Sequence, residues 1–458
     1  MTGAVRLSLV SHTNVGKTTL ARTLLGRDIG EVRDAPHVTE FAEMHELLAT
    51  PEGDRLELWD TPGFGDSVRL LRRLQGSATP VGWFLAQVWD RWRDRAFWHS
   101  QQAVRHVRDT SDVVLYLVNA AESPAAAGYV EPELQILGWI GKPVIVLLNQ
   151  LGAPRGDDAA ELERWRRHVA SHGLVRAVLP LDAFARCWVQ EGVLLAAVGD
   201  ALGGDARMQR LHAAWRARAE ARFDAAIAEL AASLARVAAT TVPLAGSGWL
   251  GRRDEAAAAQ QALADALDAE VRASTGRLLA LHGIDGAAGG EILQRVGELV
   301  DVRQRIDEKQ SSLAGAVLGG ALVGLKADLA SGGLTLGGGM LAGGLLGALG
   351  AAGVARGLNL VRGTGQGHAR WNADALPALA EAALLRYLAV AHFGRGRGDW
   401  VAGEAPPHWP PAVQRALQPQ LPALAAAWKA GAPVAAWEAP LQAAARALLQ
   451  ALYPAAAA

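Results

Sequence analysis

Residues 11–19 read Ser11-His12-Thr13-Asn14-Val15-Gly16-Lys17-Thr18-Thr19, directly after the apolar run Ala4-Val5-Arg6-Leu7-Ser8-Leu9-Val10. A strand, a short loop and Gly-Lys-Thr opening a helix form the pattern of a phosphate-binding loop. Successive backbone N–H groups in such a loop make a nest for phosphate oxygens, and the positive end of the following helix adds to it. The expected binding residues are Val15, Gly16, Lys17, Thr18 and Thr19. Lys17 would reach the β- and γ-phosphates, where it acts catalytically, and the Thr18 hydroxyl would ligate Mg2+. Ser11 stands where the first glycine of the pattern is usual, and serine can still turn sharply. His12 occupies a loop position whose side chain is expected to point away from the nucleotide.

Further segments extend the pattern along the chain. Arg55-Leu56-Glu57-Leu58-Trp59 alternates as a strand and ends in Asp60-Thr61-Pro62-Gly63. An aspartate at the end of a strand beside the loop can hold Mg2+ through water. Gly63 can offer its backbone N–H to a γ-phosphate, a second catalytic contact. Asp112–Val118 and Pro143–Leu148 are apolar, β-branched runs that suit buried parallel strands, and Val175–Leu181 is another candidate. Strands alternating with helical patterns predict an α/β doubly wound sheet with its ligand outside the carboxyl ends of the strands. Between the first helix (about 17–26) and a strand near Glu46–Ala49, Thr39 is the one hydroxyl residue of Arg27–Phe41. A threonine there would meet Mg2+ and the γ-phosphate only with a triphosphate bound, which is how such loops switch.

At 458 residues the chain has length for two or three cores, and its net charge of −1 provides no global field for nucleic acid. No specific nucleic-acid site is evident. The single cysteine, Cys187, excludes intrachain disulfides, fits a reducing compartment and reads as a buried apolar residue. The first strand begins almost at the N-terminus, so a cytoplasmic location is expected, or attachment to the inner membrane from that face. Between the Asp60 motif and the Asp112 strand, about 68–108, lies more chain than a minimal switch domain needs. Val81, Leu85, Val88, Trp92 and Ala96 form a helical stripe there, with Trp83, Trp89 and Trp98 nearby. An inserted helix whose tryptophans fill a core is the favoured reading, and a partner surface is the alternative.

The order of these motifs resembles the Era/TrmE-like branch of the translation-factor-related P-loop GTPases. Asp60-Thr61-Pro62-Gly63 followed by Phe64-Gly65-Asp66 is similar to that branch, and the whole chain resembles bacterial GTPases fused to a glycine-rich C-terminal domain of unknown function. The resemblance implies a Ras-like G domain, GTP and GDP as ligands, Mg2+ as cofactor and GTP hydrolysis. Two positions depart from the class. The guanine-reading Asn-Lys-x-Asp motif appears as Asn149-Gln150-Leu151-Gly152, so Asn149 matches while Gly152 replaces the aspartate. Asp182 in Leu181-Asp182-Ala183 is the candidate for the last base-contacting loop. GTP is retained over ATP on the resemblance. Phe64 stands where Ras-like members place a water-orienting glutamine, so slow intrinsic hydrolysis is expected. Some relatives recruit K+ through an asparagine that Asn14 matches.

From Asp205 onward the chain turns helical. Ala206–Ala239 and Asp254–His282 carry helical spacing, and Glu291–Lys309 continues it with charged faces. Gln310–Leu325 is then uncharged, Lys326-Ala327-Asp328 interrupts, and Leu329–Ala355 is uncharged over 27 residues, above the ~20 that span a bilayer. Glycines recur four apart, at Gly315/Gly319, Gly320/Gly324, Gly339/Gly343/Gly347 and Gly353/Gly357, a spacing that lets helix backbones approach closely. Basic residues flank both sides: Arg303, Arg305 and Lys309 before, Arg356 and Arg362 after. Two readings stand, a membrane-associating hairpin contacting lipid and a soluble glycine-packed hairpin. Homo-oligomerisation through the glycines belongs to a scaffold alternative. The expected organisation is a P-loop G domain at 1–200, a helical domain at 205–309, the glycine-rich hairpin at 310–362 and a C-terminal helical region at 363–458. The C-terminal part as a whole is expected to be all-α.

Overall fold

The computed structural model describes residues 3–12, 15–25, 43–64, 66–75, 79–86, 95–150, 158–181, 188–244, 252–284, 358–361, 367–392 and 408–453. Two compact units emerge, one of Met1–Ala219 with Phe393–Gly398, the other of Glu220–His392 with Asp399–Ala458.

The first unit is built on six strands: β1 (Ala4–Ser11), β2 (Glu43–Ala49), β3 (Arg55–Asp60), β4 (Val113–Asn119), β5 (Val144–Asn149) and β6 (Val175–Pro180). Their order is β2-β3-β1-β4-β5-β6, parallel throughout except for the antiparallel pair β2–β3. The edge strand β2 carries an irregularity between Glu46 and Leu48. Continuous apolar runs form the central strands because both faces are covered. On β4, Val114, Tyr116 and Val118 join one core cluster while Val113, Leu115 and Leu117 join the other. Strand β5 repeats the alternation, with Val144, Val146 and Leu148 against Ile145 and Leu147.

Helices α1 (Lys17–Leu25) and α7 (Trp188–Ala201) cover one face, together with the first residues of α8 (Ala206–Ala239). The start of α8 is tied down by Arg207 Nη1 donating to the Ala4 carbonyl at 3.0 Å and by Arg210 Nε donating to Asp54 at 2.6 Å. The other face takes α2 (Ser67–Leu74), α3 (Pro80–Ala86), α4 (Arg95–Thr110), α5 (Val130–Ile140) and α6 (Asp158–Val169). The stripe over 81–96 predicts one inserted helix; the described residues form two, α3 and α4, and 87–94 lie outside them. Phe84 and Phe97 are buried there, with Val81 and Trp83 packed partly against the same core. Strand β1 pairs with β3 on one side and β4 on the other, so the chain leaves it at the switch point of the sheet. The loop after β1 therefore opens at the carboxyl ends of the strands.

The second unit is mostly helical. It holds the later part of α8, then α9 (Arg252–Leu281) and helices at Leu376–Ala391, Trp409–Leu417, Leu421–Ala430 and Ala435–Leu452. Leu376–Ala391 is buried on nearly every side, Glu381 and Arg386 included. A small antiparallel sheet was not anticipated: β7 (Thr241–Pro243), β8 (Leu358–Val361) and β9 (His368–Trp371), in the order β7-β9-β8. Strands of three and four residues are too short for a period-2 pattern to be read in a sequence. No described helix is long and apolar enough to cross a membrane, and the uncharged stretches at 310–325 and 329–355 lie outside the described residues, as do Glu291–Lys309 and Cys187.

Candidate nucleotide site

Three strand ends, those of β1, β3 and β5, build the site. From β1 the chain enters the loop, in which Gly16 has φ +92°, a conformation that glycine adopts without strain. A Cβ at Gly16 would stand 2.8 Å from the Asn149 side-chain nitrogen. That amide comes from the end of β5, is fully buried, and donates to the Val15 carbonyl at 2.8 Å. Asn149 thus braces the loop from across the sheet. Ser11 has an ordinary negative φ, since Gln150 is the one non-glycine residue with positive φ among the described residues. This explains how serine replaces the usual glycine. Its hydroxyl donates to the His12 carbonyl at 2.6 Å.

Lys17 and Thr18 open α1, and both turn to the end of β3. Lys17 Nζ lies 2.9 Å from Asp60 Oδ1, and the Thr18 hydroxyl donates to Asp60 Oδ2 at 2.7 Å. The lysine and the carboxylate are both largely buried, so their attraction is little screened. A hydroxyl and a carboxylate converging at this distance are hard oxygen donors of the kind Mg2+ takes. Thr61 donates to the Leu9 carbonyl at 2.5 Å, and Phe64 N–H donates to the Ser11 carbonyl at 3.0 Å. The segment after Asp60 is thereby sewn along the stem of the loop.

Phe64 is fully buried among Val10, Leu70 and other core residues. Its ring anchors the start of this segment in the core. Gly63 sits in the irregular backbone just before it. His12 faces away along the sheet: its Nδ1 lies 2.8 Å from Glu133 Oε1 on α5, and its ring stacks on Tyr129 at 4.6 Å between centroids. Glu133 also accepts the Tyr116 hydroxyl at 2.8 Å. Burial alone would lower the His12 pKa, but the hydrogen bond and charge of Glu133, with Glu122 and Asp66, outweigh it and leave it raised. Burial pushes the Glu133 carboxyl up, opposed by its bonds to His12 and Tyr116.

Of the residues singled out by sequence, the structure brings Val15, Gly16, Lys17, Thr18, Thr19, Asp60, Gly63 and Asn149 to the same end of the sheet. Asn14, Thr39 and Asp182 lie outside the described residues, as does Gly152. Glu133 was missed. A lone glutamate in a helix, more than a hundred residues from the loop, carries no local signal; only its complete burial marks it.

Comparison with known proteins agrees with this architecture. The 50S ribosome-binding GTPase family matches residues 6–150, and the domain of unknown function DUF3482 matches residues 174–452. The second match exceeds half of the chain, which belongs to that DUF3482 family and carries a P-loop GTPase domain ahead of it. GTPase Der of Mycobacterium tuberculosis is 31% identical over 157 residues, which cover 34% of this chain and 28% of that protein. GTPase Der of Myxococcus xanthus is 31% identical over 152 residues, covering 33% and 27%. The matched segment thus spans under a third of the length of these relatives. Among solved structures, Era in complex with MgGDPNP and a 16S ribosomal RNA segment gives a TM-score of 0.30 at 18% identity, covering 40% of this chain and 52% of that one. Era of Aquifex aeolicus bound to GDP and AlF4- gives 0.28 at 20%, covering 39% and 51%. At such scores the RNA of the Era complex is a property of that protein alone.

Proposed function

We propose that the chain is a Mg2+-dependent GTP switch whose G domain, at 1–200, governs the helical module behind it. The observation that carries this reading is the meeting of Lys17, Thr18 and Asp60 beside a loop braced by Asn149. Lys17 and Gly63 would contact the phosphates that gain charge as the β–γ bond breaks, and Thr18 with Asp60 would hold Mg2+. Thr39 would join them when a triphosphate is bound. Asn14 is assigned to K+ and Asp182 to the base. With Phe64 in the core, no side chain at its position orients water, which favours slow intrinsic turnover. Equal turnover in NaCl and KCl would remove the K+ assignment.

The module is assigned as 205–309, a glycine-rich hairpin at 310–362 that contacts lipid on the cytoplasmic face, and a helical region at 363–458. The 27 uncharged residues at 329–355 support lipid contact. Flotation of the full chain with liposomes, with GTP and with GDP, tests it; a chain that stays at the bottom of the gradient in both favours the scaffold reading, self-association through the glycines with little hydrolysis.

Competition settles the base. Unlabelled GTP should displace a fluorescent GDP analogue from the full-length protein at far lower concentration than ATP, and phosphate release should require Mg2+. Equal displacement by ATP overturns the guanine assignment; no release above a Lys17→Ala control overturns the hydrolase assignment.

A further inference from the structure

We propose that Glu133 is a positioning residue for nucleotide binding, acting through His12 to hold the stem of the phosphate-binding loop against α5. The inference rests on reading that loop as the guanine-nucleotide site.

His12 is clamped twice. Its backbone is bridged in parallel register to Phe64, and Phe64 N–H donates to the carbonyl of neighbouring Ser11, so one side of the stem is joined to the segment after Asp60. Its side chain is joined to α5 by the Glu133 hydrogen bond and lies flat on Tyr129. The anchor itself is fixed. Glu133 is fully buried and accepts the Tyr116 hydroxyl from β4, while the Tyr129 hydroxyl accepts the Asn119 N–H at the end of β4. A fully buried carboxylate is costly unless it is paired. Here its two oxygens are shared between a core strand and the loop, with the Ser67 side chain also beside them, so releasing His12 removes one of a buried acceptor's bonds.

The consequence for binding is one of preorganisation. A loop whose stem is held from both sides spends less conformational entropy when phosphates order it. His12 is about one-third exposed, so its substitution creates no cavity in the core. Nothing in the phosphate-binding pattern calls for a partner on α5, and none of the residues placed at the nucleotide includes Glu133.

The test is a double-mutant cycle on the full-length protein, read by the dissociation rate of a fluorescent GDP analogue with Mg2+ present. His12→Ala and Glu133→Leu should each speed dissociation about tenfold, and the double variant no more than either alone, since both break one tether. His12→Arg, which can still donate to Glu133, should recover most of the wild-type rate. Circular dichroism and melting temperature separate this from a structural role: His12→Ala should stay folded at the assay temperature, with a modest fall in melting temperature from the lost Glu133 bond, while releasing nucleotide faster. Unchanged dissociation in a folded His12→Ala protein overturns the proposal, as do additive effects in the cycle. Should Glu133→Leu fail to fold, His12→Ala against His12→Arg decides alone. A wild-type protein that binds no guanine nucleotide overturns the GTP reading itself, and is told apart because the analogue then never loads.

Discussion

Gly16 shows how tightly a single residue is specified. Its φ of +92° already disfavours any side chain, and the space a methyl would need is held by the Asn149 amide at 2.8 Å. Gly16→Ala must either shift Asn149, freeing the Val15 carbonyl, or distort the loop. The left-handed conformation alone costs about 1–2 kcal/mol, so equilibrium titration with a fluorescent GDP analogue should show roughly five- to thirtyfold weaker binding. His106 makes a second residue-scale prediction. Burial holds its pKa down to about 4; its Nε2 lies 3.0 Å from the Ser8 hydroxyl and its ring 4.6 Å from that of Trp59. Because the folded protein keeps this imidazole neutral while the unfolded chain takes up a proton near pH 6.5, stability drains away as pH falls from about 6.5 toward 4. Melting temperature should fall over that window, and His106→Gln should make the fall shallower. An unaltered slope in the variant would assign the acid sensitivity to other groups.

Among the elements, legibility tracked length and amphipathic contrast. The strands of the large sheet announce themselves because residues such as Val113–Val118 are apolar on both faces, a signature of parallel strands sandwiched between helices. Lys17, Thr18 and Asp60 were legible because their chemistry fixes both residue type and strand-end position. The three-stranded sheet of the second unit was not, since each strand is shorter than one readable repeat. Nor was the Leu376–Ala391 helix recognisable as a central one, because its charged Glu381 and Arg386 suggest a wet face that packing denies. Arg386 is fully buried, burial draws its pKa down to about 10, and Nη1 donates to the Val271 carbonyl at 3.0 Å. That carbonyl also accepts the Thr275 hydroxyl at 2.7 Å, so it keeps a donor if the arginine goes. Glu270 has Arg236 and Arg277 as its own partners. Arg386→Met, similar in reach and cheaper to bury, should therefore change stability by less than about 1.5 kcal/mol, whereas Arg386→Ala leaves a void costing roughly 2–5 kcal/mol. Chemical denaturation of the two variants checks the difference.

On the scale of the whole molecule, each unit has a core of its own, and thermodynamics should reflect that. Proteins built of more than one unit commonly depart from a single all-or-none transition. Calorimetry of the full chain should resolve more than one component. Saturating GDP with Mg2+ should raise the one belonging to residues 1–219, by about 2.7 kcal/mol at a hundredfold excess over Kd. A single transition that shifts upward as a whole would mean that the units unfold as one.

The outer edge of the large sheet bears on how this protein behaves in a crowded solution. Strand β2 is mostly exposed, carries Glu43 and Glu46 on its outward-facing stretch, and breaks register between Glu46 and Leu48. Charge and irregularity on an edge strand both frustrate the addition of a foreign strand. The sheet that carries the nucleotide loop therefore comes with its own guard against amyloid-like stacking, and Glu46→Val should raise thioflavin-positive aggregation during refolding while leaving GDP binding by the folded fraction intact.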